Sequence, residues 1–334
     1  MISDRAYVWI FLPGDTELVP AGVVSWSDED ETWGFRYARS YQKRADAIAL
    51  APPGCALDVI DDEINLLDSE LNGPLRDASP DAWGRRLMAR RLTDKGQDPA
   101  QLDEIDFLLG GGTDRIGALD ASESRLEYAP KAGEAVDLDQ LLEAAERIEA
   151  GEHLDERLDK ALNHGTSIGG ARPKALLEKD GEFWISKFSS NNDHFPMVAI
   201  EVTAMWLARD CGLDVAEARQ ETSLHKRVAL IKRFDRIPGP TGVARRHQLS
   251  AMTLLNLDET AVQYGYASYL DFADVLLKYS RNPDADRREL FSRMVFNILV
   301  GNNDDHARNH ACFWDGKALD LTPAYDVCPQ PRFS

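Results

Sequence analysis

The chain has 334 residues, 57 of them Asp or Glu against 38 Lys or Arg, giving a formal net charge of −19, and 43% of its residues are apolar. Such a length holds two modest domains or one large bilobal one, and such an apolar share buries a sizeable core, which excludes a mini-domain and a globally disordered chain. Residues 1–130 hold 25 acids and 13 bases, residues 131–160 hold 10 and 4, and the rest is close to neutral, so unaided nucleic-acid binding is disfavoured. No apolar run approaches the roughly 20 residues a membrane helix needs. Met1 to Pro13 has no basic stretch followed by an apolar block. The expectation is a cytoplasmic protein without membrane contact. Cys55, Cys211, Cys312 and Cys328 are scattered, with no CxxC pair, and read as reduced thiols.

In chain order, Tyr7–Leu12, Leu18–Val24 and Trp33–Tyr37 are β-branched and aromatic runs bounded by Gly, Pro and Asp, which predicts strands. Asp81–Leu92 turns helical, with Trp83, Leu87 and Met88 on one face and four arginines that a solvated face explains. Gly110–Gly117 lacks the Lys-Ser/Thr pair of a Walker loop and predicts a turn. A helix runs from Asp137, its candidate N-cap, along the stripe Leu138, Leu141, Leu142, Ala145 and Ile148 to Gly151. Lys174–Glu178 and Phe183–Phe188 form a hairpin around an Asp-Gly turn. A helix follows from about Pro196 to Cys211, stopped by Gly212, and then a strand at Val228–Phe234. After Pro238-Gly239-Pro240 the pattern reads as helical to about residue 300.

Three segments hold residues suited to chemistry. Ser167–Lys174 (SIGGARPK) is a small-residue stretch whose two glycines let backbone N–H groups turn toward phosphate, although ordinary turns share this composition. Lys187 alternates with Ile185 and so faces inward, where a lysine needs an anion; Glu201 on the next helix is placed to supply one, unless Lys187 lies on an exposed edge. The third segment, Gly301–His310, ends an apolar helix in a dense run of Asp, Asn and His, and Asp326 follows after Leu321–Tyr325. Hard oxygen ligands of this kind suit Mg²⁺, and a further Asp can orient an attacking hydroxyl. A rival reading has His306 and His310 share a zinc ion in a metallohydrolase, but the HExxH glutamate is absent.

The order of these pieces (small-residue loop, strand lysine, helix glutamate, hinge-like strand, Asp-x-His-x-x-Asn, later Asp) is that of a protein kinase, without HRD or DFG. Ser167–Lys174, Phe234-Asp235-Arg236, Gly301–Asn309 (GNNDDHARN) and Leu321–Asp326 (LTPAYD) closely resemble the HipA family of bacterial serine/threonine kinases, the toxin half of HipBA-type toxin–antitoxin modules. The resemblance implies an α+β, bilobal, protein-kinase-like fold. A β-rich N-terminal subdomain would span 1–130, a kinase N-lobe 131–237, and a helical C-lobe 238–334. Family members continue into further C-terminal helices, so that lobe is expected to be incomplete.

By the same resemblance, Asp304 is the catalytic base and Asn309 and Asp326 are the Mg²⁺ ligands. Lys187, paired with Glu201, holds the ATP α- and β-phosphates, and Gly169 and Gly170 cradle the γ-phosphate. Backbone groups of Lys232 and Phe234 meet adenine, Asp235 meets the ribose, and Ser167 is the autophosphorylation site. The implied partners are a HipB-like helix-turn-helix antitoxin, through which alone DNA is met, and a protein substrate such as an aminoacyl-tRNA synthetase. The alternative is a catalytically silent kinase-fold subunit that binds such an antitoxin.

Overall fold

The computed structural model describes residues 4–330 except 30, 53–54, 59–63, 67–70, 72, 95, 131–136, 153–171 and 191–192. Strands β1 (Arg5–Phe11), β2 (Leu18–Ser27), β3 (Thr32–Tyr37), β4 (Ile64–Leu66) and β5 (Leu119–Ser122) form an antiparallel sheet in the order β4-β3-β2-β1-β5. The three strands read from the sequence all lie in it.

A second antiparallel sheet, in the order β6-β7-β9-β8, contains β6 (Lys174–Lys179), β7 (Glu182–Phe188), β8 (Ala218–Ser223) and β9 (Lys226–Lys232). Asp180 and Gly181, both at positive φ (55° and 74°), make the tight turn that matches strand twist and pair Lys179 with Glu182. Counting outward from this turn, Lys174 stands opposite Lys187. Alternation gives the sheet two apolar faces. Ala175, Leu177, Trp184, Phe188, Val228 and Leu230 pack on the Leu138–Glu149 helix and on Trp83 and Leu87. Ala218, Ala229 and Ile231 pack on Val198, Val202 and Met205 of the Met197–Asp210 helix. Each of those larger buried side chains contributes about 2 kcal/mol. Lys187 belongs to this second face, so its alternation with Ile185 aims it at the helix.

The reading of 238–300 as continuously helical is corrected. Strands β10 (Arg236–Gly239) and β11 (Gly242–Arg245) form a hairpin, and β12 (Gln248–Ser250) joins β13 (Ala311–Trp314) and β14 (Leu319–Leu321) in a three-stranded sheet. Pro240 breaks any helix, and Gly242, at φ 142°, takes a conformation that an L side chain resists. Helices follow only at Ala251–Leu254, Glu259–Gln263, Tyr269–Tyr279 and Pro283–Val300.

The cores cross the boundaries expected at residues 130 and 237. Val8, Ile10, Phe35 and Leu119 of the first sheet share one buried cluster with Leu249, Met252, Phe272, Leu276, Cys312 and Leu319 from the C-terminal part. Trp83 and Leu87, from within the expected first unit, pack instead on the second sheet. His247, 4% exposed, stitches the shared core by donating from Nε2 to the Leu50 carbonyl at 2.7 Å, while its buried Nδ1 has no partner.

That geometry gives a pH prediction. A second proton on His247 would be buried without an acceptor, and burial pulls its pKa from 6.5 down to about 4. The unfolded chain therefore takes up this proton first. Stability is full above pH 6.5 and should fall by up to about 3 kcal/mol as the pH drops to 4. Denaturant unfolding of wild type and His247→Gln at several pH values checks this: the substitution should flatten the profile in that window.

Candidate active site

At the end of the Pro283–Val300 helix, Gly301 adopts the left-handed conformation (φ 74°), and its N–H caps the Asn297 carbonyl. The chain then runs through a tight loop to β13. The Asn309 amide donates from Nδ2 to the Asp304 carbonyl at 2.7 Å, which leaves its side-chain oxygen directed elsewhere. Asp305 turns inward to His310 Nε2 (2.7 Å) and the Tyr269 hydroxyl (2.5 Å), anchoring the loop to the Tyr269–Tyr279 helix. Asp304 points outward, its side chain 67% exposed. Two adjacent aspartates thus have opposite roles, one structural and one presented to solvent.

The metal reading built on His306 and His310 is corrected. His310 is buried against Tyr269 and Phe272 and bonded to Asp305. His306 lies beside Asp304 at 3.9 Å. Among the described residues no cluster of three or more His, Cys, Asp or Glu could hold a metal ion.

After β14, Ala324 is bridged to Val215, and the backbone bonds Ala324 N–Asp214 O and Ala216 N–Ala324 O hold the next loop against the end of the Met197–Asp210 helix. This places Asp326 beside Lys187. Lys187 Nζ lies 2.5 Å from Glu201 Oε1 and 2.7 Å from Asp326 Oδ1. Burial alone would neutralise a lysine, but two carboxylates at this distance hold its pKa above the usual range. Asp326 is held low, at about 2, by Lys187 and then Lys174, against the cost of burial. Burial keeps Glu201 above the ordinary carboxylate range, Lys187 notwithstanding. Asp326 sits at φ 57°, a left-handed conformation that Asp tolerates better than most residues.

Asp326 and Asn309 line one small cavity together with Asn302 and Tyr325. Mg²⁺ takes one or two protein oxygens and completes its octahedron with water and phosphate. Asp326 Oδ2 and the Asn309 amide oxygen fit that requirement, since Lys187 bonds Oδ1 and Asn309 is oriented through its nitrogen.

The hinge residues are placed differently from one another. The Lys232 N–H, one of the backbone groups expected at adenine, donates to the Glu217 carbonyl at 2.8 Å. Phe234 packs edge-on to Phe313 and tilted on Tyr325, linking the hinge to the Asp326 loop. Asp235, expected at the ribose, is buried, at 2% exposure. It accepts from Arg233 Nε (2.9 Å) and Nη2 (2.8 Å), from Arg236 Nη1 (2.8 Å) and from Gly117 N (2.7 Å). Arg233 and Arg236 also reach Asp114, at 3.0 and 2.6 Å. Those arginines hold the Asp235 pKa far below normal. The Gly110–Gly117 turn is therefore the clamp on the hinge. Ser167, Gly169 and Gly170 lie outside the described residues.

Lys174 was missed as a site residue. It is buried (4% exposed) opposite Lys187, with a pKa lowered to about 8 by burial first and then by Lys187. The two-residue turn between β6 and β7 carried the signal, because it fixes the register that pairs the two lysines.

A strand lysine and a helix glutamate facing an Asp-bearing loop across two lobes are the marks of the protein-kinase-like class of α+β folds. Comparison with known sequences narrows this. The HipA-like C-terminal domain matches residues 166–333 and the HipA N-terminal domain matches residues 16–122, and the chain belongs to the HipA family.

A putative kinase of Haemophilus influenzae is 30% identical over 192 residues, covering 50% of this chain and 54% of that one. The serine/threonine-protein kinase toxin HipA of Shewanella oneidensis is 27% identical over 183 residues, covering 48% and 42%. The putative kinase Y4mE of Sinorhizobium fredii is 28% identical over 174 residues, covering 48% and 41%. The matches thus span about half the length of these curated relatives. The solved structure of Shewanella oneidensis HipA with HipB and operator DNA shares the fold at a TM-score of 0.65 and 21% identity, over 96% of this chain and 76% of that one. No helix among the described residues is long and apolar enough to cross a membrane.

The burial of Asp235 yields a second prediction. Asp235→Asn leaves two buried arginines sharing Asp114 alone and should cost about 3 kcal/mol of stability. Nucleotide affinity of the folded fraction should stay unchanged. Paired thermal melts and nucleotide titrations separate this from a ribose contact, which would give the opposite pattern.

Proposed function

We propose that the chain is an ATP- and Mg²⁺-dependent serine/threonine protein kinase of HipA type. The observation that carries this reading is the buried Lys187 held between Glu201 and Asp326, with the exposed Asp304 on the neighbouring loop. An anion-seeking lysine pre-oriented by a helix glutamate is what binding of ATP α- and β-phosphates requires. Bound Mg²⁺, held by Asp326 and Asn309, would neutralise charge on the phosphates. The Lys232 carbonyl and the Phe234 N–H meet adenine, and Gly169 and Gly170 approach the γ-phosphate.

In the transfer, the substrate hydroxyl oxygen bonds to the γ-phosphorus while the bond from phosphorus to the β–γ bridging oxygen breaks. The hydroxyl proton passes to Asp304, and ADP leaves. Ser167 is the proposed autophosphorylation site; two added negative charges there would repel the phosphates of a bound nucleotide. The protein substrate is a component of translation such as an aminoacyl-tRNA synthetase. The solved relative in complex with HipB and operator DNA supports a helix-turn-helix antitoxin as partner, with DNA met only through it. The acidity of residues 1–160 accords with that division of labour.

Intact-mass and peptide mass spectrometry after incubation with ATP and Mg²⁺ tests the reading. One phosphate on Ser167 is expected, falling by at least about a hundredfold in Asp304→Asn with the fold retained. Transfer that survives this substitution removes Asp304 as base. Nucleotide binding without transfer in wild type favours the silent antitoxin-binding subunit.

A further inference from the structure

The segment Asp81–Trp83 is bonded to both halves of the site from outside it. Asp81 Oδ1 accepts from Arg308 Nη1 at 2.6 Å and from Arg76 Nη2 at 2.8 Å. Glu259 Oε1 closes a square with the same two guanidinium nitrogens, at 2.7 and 2.9 Å. Arg308 lies between Asp304 and Asn309 in the loop, its side chain 17% exposed, and its carbonyl accepts from the Tyr325 hydroxyl at 2.8 Å. The square therefore grips the catalytic loop beside Asn309, next to the residue that precedes Asp326.

Two residues after Asp81, the buried Trp83 donates from Nε1 to the Lys174 carbonyl at 3.0 Å. Lys174 is the cross-strand neighbour of Lys187. A three-residue stretch thus touches the acid-bearing loop on one side and the lysine-bearing hairpin on the other. The Arg85 N–H bond to the Asp81 carbonyl (2.8 Å) makes that stretch the rigid start of the Ala82–Asp94 helix. An ion square in which each arginine meets both carboxylates holds position better than a single pair, because neither guanidinium can rotate without losing two bonds.

We propose that Asp81 is a positioning residue for phosphoryl transfer: through Arg308 it holds the Asp304–Asn309 loop, while Trp83 holds the Lys174–Lys187 strand pair, and together they set the separation of acid and lysine. This rests on the kinase reading above. Near-attack geometry is sensitive to displacements of about an ångström. Asp81 therefore acts on the rate of transfer more than on nucleotide binding.

The test uses the full chain with Asp81→Asn and Asp81→Glu, and three readouts: transfer rate per nucleotide-binding site, nucleotide affinity, and hydrogen exchange across residues 302–310. Asp81→Asn should slow transfer by about ten- to a hundredfold at unchanged binding stoichiometry, with affinity within about threefold. Exchange in 302–310 should quicken while β7 and β9 stay protected, and Asp81→Glu should recover part of the rate. Unchanged transfer, or a loss that follows the number of binding sites, overturns the proposal. If wild type transfers no phosphate, the kinase reading fails on its own, and exchange decides the tie: unchanged protection in 302–310 overturns it. Should Asp81→Asn not fold, Trp83→Phe removes the bond to Lys174 together with part of a buried ring, and unaltered transfer in that variant overturns the proposal.

Discussion

The structure is organised around one buried ammonium group. Lys187 Nζ, between Glu201 and Asp326, joins a strand, the helix whose glutamate stands 14 residues on, and a loop whose aspartate stands 139 residues away. An unpaired lysine at this depth would lose its proton or pull the sheet open, so strand, helix and loop must all arrive for the charge to be tolerated. The alternation of β7, the seating of the Met197–Asp210 helix and the bridge between Val215 and Ala324 all serve that convergence. The interaction makes the candidate site a condition of the fold.

A second charged knot governs the hinge. Arg233 and Arg236 are buried, and each is bonded to Asp235 and Asp114. Arg115, fully buried, pairs with Asp120 and binds the carbonyls of Ala78 and Leu108. The N-terminal sheet is thus fastened to the segment that would meet adenine through an arginine-rich seam. Guanidinium groups suit this because one planar fork serves several acceptors at once.

Much of the site could be read in the sequence because its parts are local. The turn at Asp180-Gly181 fixes a register, alternation turns Lys187 inward, and Gly301 ends a helix just where the Asp and Asn run begins. The failures have a common cause. Asp235, placed at the ribose by resemblance, is held by its neighbours Arg233 and Arg236, and this group is tied in turn to Asp114 and Gly117, which no local pattern connects to it. Arg308 is an unspecified position of the Asp-x-His-x-x-Asn pattern, although it reaches Asp81 and Glu259. The run after Pro240 read as helical because its strands are only three or four residues long, and one of them, β12, finds its mate about 60 residues on, which leaves little periodicity. Long-range pairing of buried charges is invisible to a reading based on spacing.

The core shared by the first sheet and the last strands bears on how the protein is made. Val8, Ile10 and Leu119 are covered by Leu249, Cys312 and Leu319. On a ribosome adding about 5–20 residues per second, the completed first sheet waits roughly 10–40 s for those strands to emerge. Throughout that interval it presents an apolar face and unpaired edges to its surroundings, the kind of surface that chaperones recognise and that drives aggregation. Its yield in the cell therefore depends on protecting the nascent N-terminal half until those strands have been made.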